Sequence, residues 1–321
     1  MRTVSILKNF KPGMKNYKYL LTIFFLISSV ILSTSLSSCS SSFMEINAPS
    51  EMPPPRVLKT KPRVAVVLGG GAFLGMAHLG VLKVFEENNI PIDLIVGTSV
   101  GSFVGAIYSD NPNSDAIRKK AMEIKAEEIF NASIFNSMTG FVTGENLQKY
   151  ITDNIKVKNI EDTKIPFVAI TTDLLSGKTI PLSSGPIAPS VNSSCAIPMI
   201  FEPVKMYGMI LVDGGVLNGV AVDIARTYNP DVIIAIDLMS VVDTKPEIKN
   251  FIDVLARSYQ IAANKIRRSI APTADILLEP KLSGFPLLSD KFDKQVYDAG
   301  YTVAKERIEE IKKLISAKVK E

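Results

Sequence analysis

The chain has 321 residues, 46% of them apolar and 21% charged, which excludes a disordered polymer and suffices for a sizeable globular core. Its formal charge of +4 belongs to the first segment: Arg2, Lys8, Lys11, Lys15 and Lys18 precede every acidic residue, and beyond position 38 there remain 31 basic against 32 acidic residues. That balance excludes a nucleic-acid patch read from net charge, and two cysteines, Cys39 and Cys195, are too few for a disulfide framework.

The basic start, the apolar stretch 19–32 and the small residues after it predict a secretory signal over 1–38. The stretch is short for a spanning helix, which needs roughly 20 apolar residues. Leu36-Ser37-Ser38-Cys39 resembles a bacterial lipobox, which implies cleavage before Cys39 and a membrane anchor of lipid on that cysteine. Ser40 resembles the sorting pattern for the outer membrane of a Gram-negative cell, facing the periplasm. Residues 39–62, with Pro49, Pro53, Pro54, Pro55 and Pro62 and no hydrophobic period, predict a flexible tether, and 63–321 a single α/β domain.

Within that domain short β-branched runs alternate with helical periods, the pattern of a three-layer α/β/α fold on a mainly parallel sheet. The run 64–68 ends at Gly69-Gly70-Gly71, and 76–88 has helical spacing. A second run, 94–96, meets Gly97-Thr98-Ser99-Val100-Gly101 and then a helical stretch through 108. Helices are predicted at 114–130 and 144–155, strands at 167–171 and 179–182, and a polar connecting segment at 192–198. Strands at 209–212, 232–236 and 275–278 and a last helix over 292–315 complete the reading.

Three of these junctions carry chemistry. Gly97-Thr98-Ser99-Val100-Gly101 is G-x-S-x-G, in which small glycines let a strand turn sharply into a helix and expose a serine oxygen; it also fits a plain strand-to-helix turn. A serine hydroxyl attacks poorly unless a base takes its proton. The one histidine, His78, precedes the serine, where a packing or hydrogen-bonding role under the glycine loop fits better than the late histidine of a Ser-Asp-His triad. A carboxylate raised in pKa by burial can serve instead, and Asp213, ending an apolar strand before Gly214-Gly215, is the candidate; a capping Asp in a turn is the other reading. The loop 69–75 can aim several backbone N–H groups at one developing oxyanion. It lacks the Gly-Lys-Ser/Thr of a P-loop, and its glycine spacing is one residue long for a dinucleotide fingerprint, although Asp93 follows at a suitable distance.

Loop, elbow and Asp-Gly-Gly in this order, with Ala77-His78-Leu79-Gly80-Val81-Leu82 after the loop and Ser194-Cys195-Ala196-Ile197-Pro198 before the aspartate, resemble the patatin-like phospholipase family over roughly residues 63–240. The resemblance implies a Ser-Asp dyad lipid acyl hydrolase without metal or other cofactor, acting on membrane lipids. Ser99 would be the nucleophile, Asp213 the base, Gly70, Gly71 and Ala72 the oxyanion donors, and Gly97 and Gly101 the elbow glycines. One position departs: family members usually carry Arg or Lys where Leu74 stands, a cation thought to help fix the loop. A non-catalytic or weakly active lipid-binding lipoprotein on the same fold is therefore the alternative. Cys195 reads as a buried small hydrophobe.

Overall fold

The computed structural model describes residues 44–45, 50–123, 142–240, 248–287, 289 and 291–319. Cys39 and the expected signal peptide lie outside these residues. After β1 (Met44–Glu45) come β2 (Val64–Leu68), a 3-10 turn over Ala72–Gly75, α1 (Met76–Glu87), β3 (Leu94–Thr98) and α2 (Val100–Asp110). Next are α3 (Ser114–Ala121), α4 (Glu145–Asn154), β4 (Phe167–Asp173), β5 (Lys178–Leu182), α5 (Ile187–Ser194), β6 (Val204–Met206) and β7 (Met209–Asp213). The chain continues through α6 (Val222–Thr227), β8 (Val232–Ile236), α7 (Phe251–Ile270), β9 (Ile276–Leu278) and α8 (Asp293–Lys318).

The strands form one sheet in the order β1-β6-β7-β4-β3-β2-β8-β9, with β5 also pairing β4. Pairing is parallel from β4 through β3, β2 and β8 to β9, and antiparallel where β7 meets β4 and β6. Alternate residues of β2 feed two cores. Val64, Val66 and Leu68 join α1, α2 and α8 on one face, while Ala65 and Val67 join Val222 and Ala225 of α6 on the other. Burial on both faces explains why β2 and β8 read as continuous apolar runs rather than alternating ones. Each fully buried Val, Ile or Leu in these strands contributes about 1.5–3 kcal/mol against an exposed position. Helices therefore cover both faces of a mostly parallel sheet, as the alternating pattern predicts.

Several expectations are corrected. The segment around 192–198 reads as irregular, yet 187–194 is helical: Ile187 and Val191 bury one face in the core, and Ser190 and Ser193 satisfy their hydroxyls on the Pro186 and Ser190 carbonyls. The short strands β1 and β6 carry too few residues to show a period. Where it is described, the stretch expected as a flexible tether is ordered. β1 pairs with β6, and Arg56 donates from its N–H to Ser183 Oγ (3.0 Å) and from Nη1 to Thr163 Oγ1 (3.0 Å). Extended, proline-rich chain has no hydrophobic signature, so its anchoring by side chains from elsewhere is invisible to periodicity. Of the helix expected over 114–130, α3 is observed and 124–130 lies outside the described residues. Among the described residues no helix is long and apolar enough to cross a membrane.

Candidate active site

Ser99 stands between β3 and α2 with φ 55° and ψ −127°, a left-handed conformation that costs a non-glycine residue of order 1–3 kcal/mol. Its surroundings hold it there. Its N–H donates to Ser194 Oγ (3.0 Å), which itself donates to Ile170 O (2.6 Å), while Ser102 donates to Ser99 O from both N–H and hydroxyl (2.8 Å each). The two elbow glycines are needed for close approach. A Cβ on Gly97 would meet Gly101 O at 2.5 Å, and one on Gly101 would meet Leu68 O at 2.0 Å. As the N-cap of α2, Ser99 sits at the positive end of that helix dipole.

Asp213 reaches Ser99 across β4. Thr98 of β3 pairs with Ile170, and Thr171, the next residue of β4, pairs with Asp213 of β7. The Ser99 side chain stands close enough to the Asp213 carboxylate to favour its ionised form, and Gly215 N–H donates to Asp213 Oδ1 (2.6 Å). Burial pushes the Asp213 carboxyl up from 3.8 to about 6, and the nearby Ser99 side chain and the Gly215 N–H pull the other way without cancelling it. The group is thus ionised at neutral pH yet basic enough to accept a proton. Tyr259 of α7 stands near the same turn: burial first, and the Asp213 charge second, raise its hydroxyl pKa. A Cβ on Gly215 would lie 3.7 Å from Tyr259 Oη.

The glycine loop passes close to the serine, since a Cβ on Gly70 would stand 3.3 Å from Ser99 Cβ. Its anchors change one expected role. Gly69 N–H donates to Ile236 O (3.0 Å) and Gly70 N–H to Gly219 O (2.9 Å), so Gly70 is already committed and is not a free oxyanion donor. No acceptor among the described residues takes the N–H of Gly71 or Ala72. His78, fully buried, points Nε2 at Gly69 O (2.8 Å), and burial holds its pKa down to about 4. The ring is neutral near pH 7, so Nε2 carries the hydrogen and props the loop from below. Leu74, at the position of the usual cation, is buried in the larger apolar core.

A second brace was invisible in the sequence. Arg267 of α7 forms a buried ion pair with Asp237 just after β8, and Asp237 Oδ1 also accepts from Met239 N–H (2.9 Å). Arg267 Cδ lies 3.8 Å from where a Gly219 Cβ would be. The pair therefore packs beside the two segments, after Ile236 and around Gly219, to which Gly69 and Gly70 are bonded. Ser194 was missed as a support for the same reason: nothing in sequence spacing links it to position 99.

Ser99 opens onto a cavity of about 140 Å³ whose walls are almost wholly apolar, among them Phe103, Ile117, Leu147, Ile197 and Phe201, with Ala72 at the loop side. Such a slot accepts an acyl chain and offers little to a polar substrate. Cys195 lines it as well; it is buried, and burial together with the Asp213 charge raises its thiol pKa, so it is inert. Asp93, the acid a dinucleotide site would use, lies at the opposite sheet edge, bonded by Arg63 Nη2 (3.0 Å) and Val64 N–H (3.2 Å).

The profile of the Patatin-like phospholipase family matches residues 66–226. Lysophospholipase nte1 of Aspergillus fumigatus is 28% identical over 279 residues, which is 78% of this chain and 18% of that protein. Patatin-like phospholipase domain-containing protein 6 of Homo sapiens is 28% identical over 276 residues, 75% of this chain and 20% of that protein. The chain thus spans about a fifth of the length of these curated relatives. Among solved structures, VipD from Legionella pneumophila superposes with a TM-score of 0.42 at 12% identity, covering 88% of this chain and 73% of VipD. The family profile takes in the glycine loop from Gly69, the Ser99 elbow and the Asp213 turn together, and the chain belongs to the patatin-like phospholipase family.

Proposed function

We propose that the chain is a serine acyl-ester hydrolase acting on membrane lipids, a phospholipase A or lysophospholipase in type, with Ser99 as nucleophile and Asp213 as its acid/base partner. The observation that carries the reading is a strained serine brought by strand register beside a buried carboxylate lifted to about 6. Asp213 takes the Ser99 proton as Oγ bonds to the acyl carbonyl carbon. The N–H groups of Gly71 and Ala72 hold the oxyanion; removing one such donor costs on the order of 10²–10³ in rate. Collapse breaks the ester C–O bond, and Asp213 returns the proton to the leaving alkoxide, releasing an alcohol such as a lysolipid. Water then attacks the acyl-enzyme with Asp213 again as base, freeing the fatty acid and restoring Ser99.

The absence of a cation at position 74 does not dismantle this scheme, because the loop is held by the Ile236 and Gly219 carbonyls, by His78 and by the Phe73 N–H to Leu287 O bond (3.0 Å). A fluorophosphonate probe is expected to label the wild type at Ser99 and to leave Ser99→Ala unlabelled. A wild type that binds lipid without labelling or turning over ester would instead support the non-catalytic lipid-binding lipoprotein. The lipobox-like Leu36-Ser37-Ser38-Cys39 supports export and a lipid anchor, on the outer membrane by the residue at position 40. Intact mass of the native protein is expected to start at diacylglyceryl-Cys39, and retention of residues 1–38 would overturn that assignment.

A further inference from the structure

The apolar stripe of α7 has two fates along one helix. Toward its C-terminus Ile270 packs against the core of Ala65, Val67 and Ala225, and Arg267 is clamped by Asp237. Toward its N-terminus the same face carries Leu255, Ile252 and Phe251, and these are exposed, Phe251 at 72% and Ile252 at 64%. The change comes at Tyr259, the residue beside the Asp213 turn, so the uncovered half begins where the dyad lies. Seven residues from Phe251 to Arg257 span about 10 Å of helix.

A second, unrelated element exposes apolar side chains at the same, C-terminal end of the parallel strands. β4 passes Ser99 and Asp213 at Ile170 and Thr171, and its turn into β5 presents Leu174 and Leu175, the latter 67% exposed. Apolar groups on two separate elements at the end of the sheet that holds Ser99 and Asp213 are not the scattered exposure that ordinary surfaces show. Charge indicates what covers them. From 248 to 270 the chain has Lys249, Arg257, Lys265, Arg267 and Arg268 against one acid, Asp253, and it stays basic after Arg267 is set against Asp237. An apolar face bordered by arginine and lysine matches a surface that is oily beneath and anionic on top.

We infer that the N-terminal half of α7 and the β4–β5 turn form a docking face for an anionic phospholipid bilayer, which seats the membrane against the Ser99–Asp213 edge. The inference builds on the ester-hydrolase reading for its purpose, supplying substrate from the surface itself. Lipid then reaches the dyad without crossing water.

The chain contains no tryptophan, so single substitutions make clean fluorescent reporters. Phe251→Trp, Leu175→Trp and Val57→Trp would each be placed in the full-length Ser99→Ala protein. Val57 is exposed and follows Arg56, which is tied to Thr163 ahead of β4, at the opposite end of the sheet. With vesicles of phosphatidylcholine and phosphatidylglycerol carrying brominated acyl chains, emission from the indoles at positions 251 and 175 is expected to shift to the blue and be quenched. Emission from position 57 should stay unchanged. Adding Arg257→Glu and Lys265→Glu should weaken quenching at position 251 by about tenfold or more in lipid concentration, since each basic residue near an anionic surface is worth about 1 kcal/mol. A reporter at position 251 that remains in water beside vesicles overturns the inference, as does equal quenching at position 57. Blue emission from position 251 without lipid, accompanied by a doubled mass, would also overturn it by assigning the face to a second copy. Because these reporters lack the Ser99 hydroxyl, their behaviour is independent of hydrolysis. Should Ser99→Ala itself retain full ester turnover, the dyad would fall while the docking result still stood.

Discussion

Asp213→Asn is expected to lower kcat/KM for ester hydrolysis by about 10⁴-fold, the scale seen when a triad carboxylate elsewhere is made an amide, while making the protein more stable. Asn keeps an acceptor for Gly215 N–H but cannot take the Ser99 proton. The gain in stability follows from burial. In the fold the carboxyl is lifted from 3.8 to about 6, so between those values the folded protein holds a proton that the unfolded chain has released. The contribution of the protonated form is complete below pH 3.8 and is lost as pH rises through about 6, leaving an ionised Asp213 that costs about 3 kcal/mol at neutral pH. Asn carries no charge to desolvate, so thermal unfolding at about pH 7.5 should occur several degrees above the wild type. In the wild type the rate depends on the ionised base. It should rise about tenfold per pH unit below about 6 and level off above it. A flat profile from about pH 4.5 to 8, or an Asp213→Asn variant of unaltered activity, would remove Asp213 from the mechanism.

Gly101→Ala is expected to cost more than about 4 kcal/mol, because the added methyl would stand 2.0 Å from Leu68 O and 2.8 Å from Gly69 O. Both neighbours are backbone at the end of β2 and the start of the glycine loop, and neither can rotate away. Relief requires α2 to back off the sheet, which displaces Ser99 at its N-cap, the hydroxyl from Asp213 and the loop from the serine. The urea midpoint should fall with little change in slope, and the folded fraction that remains should fail to label with fluorophosphonate. A variant with near wild-type midpoint and labelling would mean that the elbow is looser than the packing around Leu68 implies.

Much of the site is legible before folding because its parts are local. A serine flanked by glycines after an apolar run specifies a strand-to-helix turn, and the scarcity of histidine directs attention to a carboxylate. The position of that carboxylate is another matter. β7 runs antiparallel to β4, so Asp213 arrives at the level of Ser99 through register, Thr98 against Ile170 and Thr171 against Asp213. Nothing in the spacing of residues 99 and 213 encodes that ladder. Gly70 illustrates the converse: the family resemblance implies a free donor there, and the approach of Gly219 O reveals that its N–H is taken.

The layered α/β plan, the family resemblance, the serine elbow and the aspartate can all be read from the linear chain, since each rests on hydrophobic period or on the backbone demands of glycine over a few residues. Contacts across the fold were needed to establish which N–H groups of the loop find no acceptor among the described residues and that a buried Arg267–Asp237 pair follows the strand whose Ile236 carbonyl holds the loop. They were needed as well to lift Asp213 to about 6 and to leave the apolar half of α7 uncovered near the Asp213 turn. These are matters of burial and of meetings between segments far apart in the chain, and a desolvation cost or a shared hydrogen bond exists only once those segments have met.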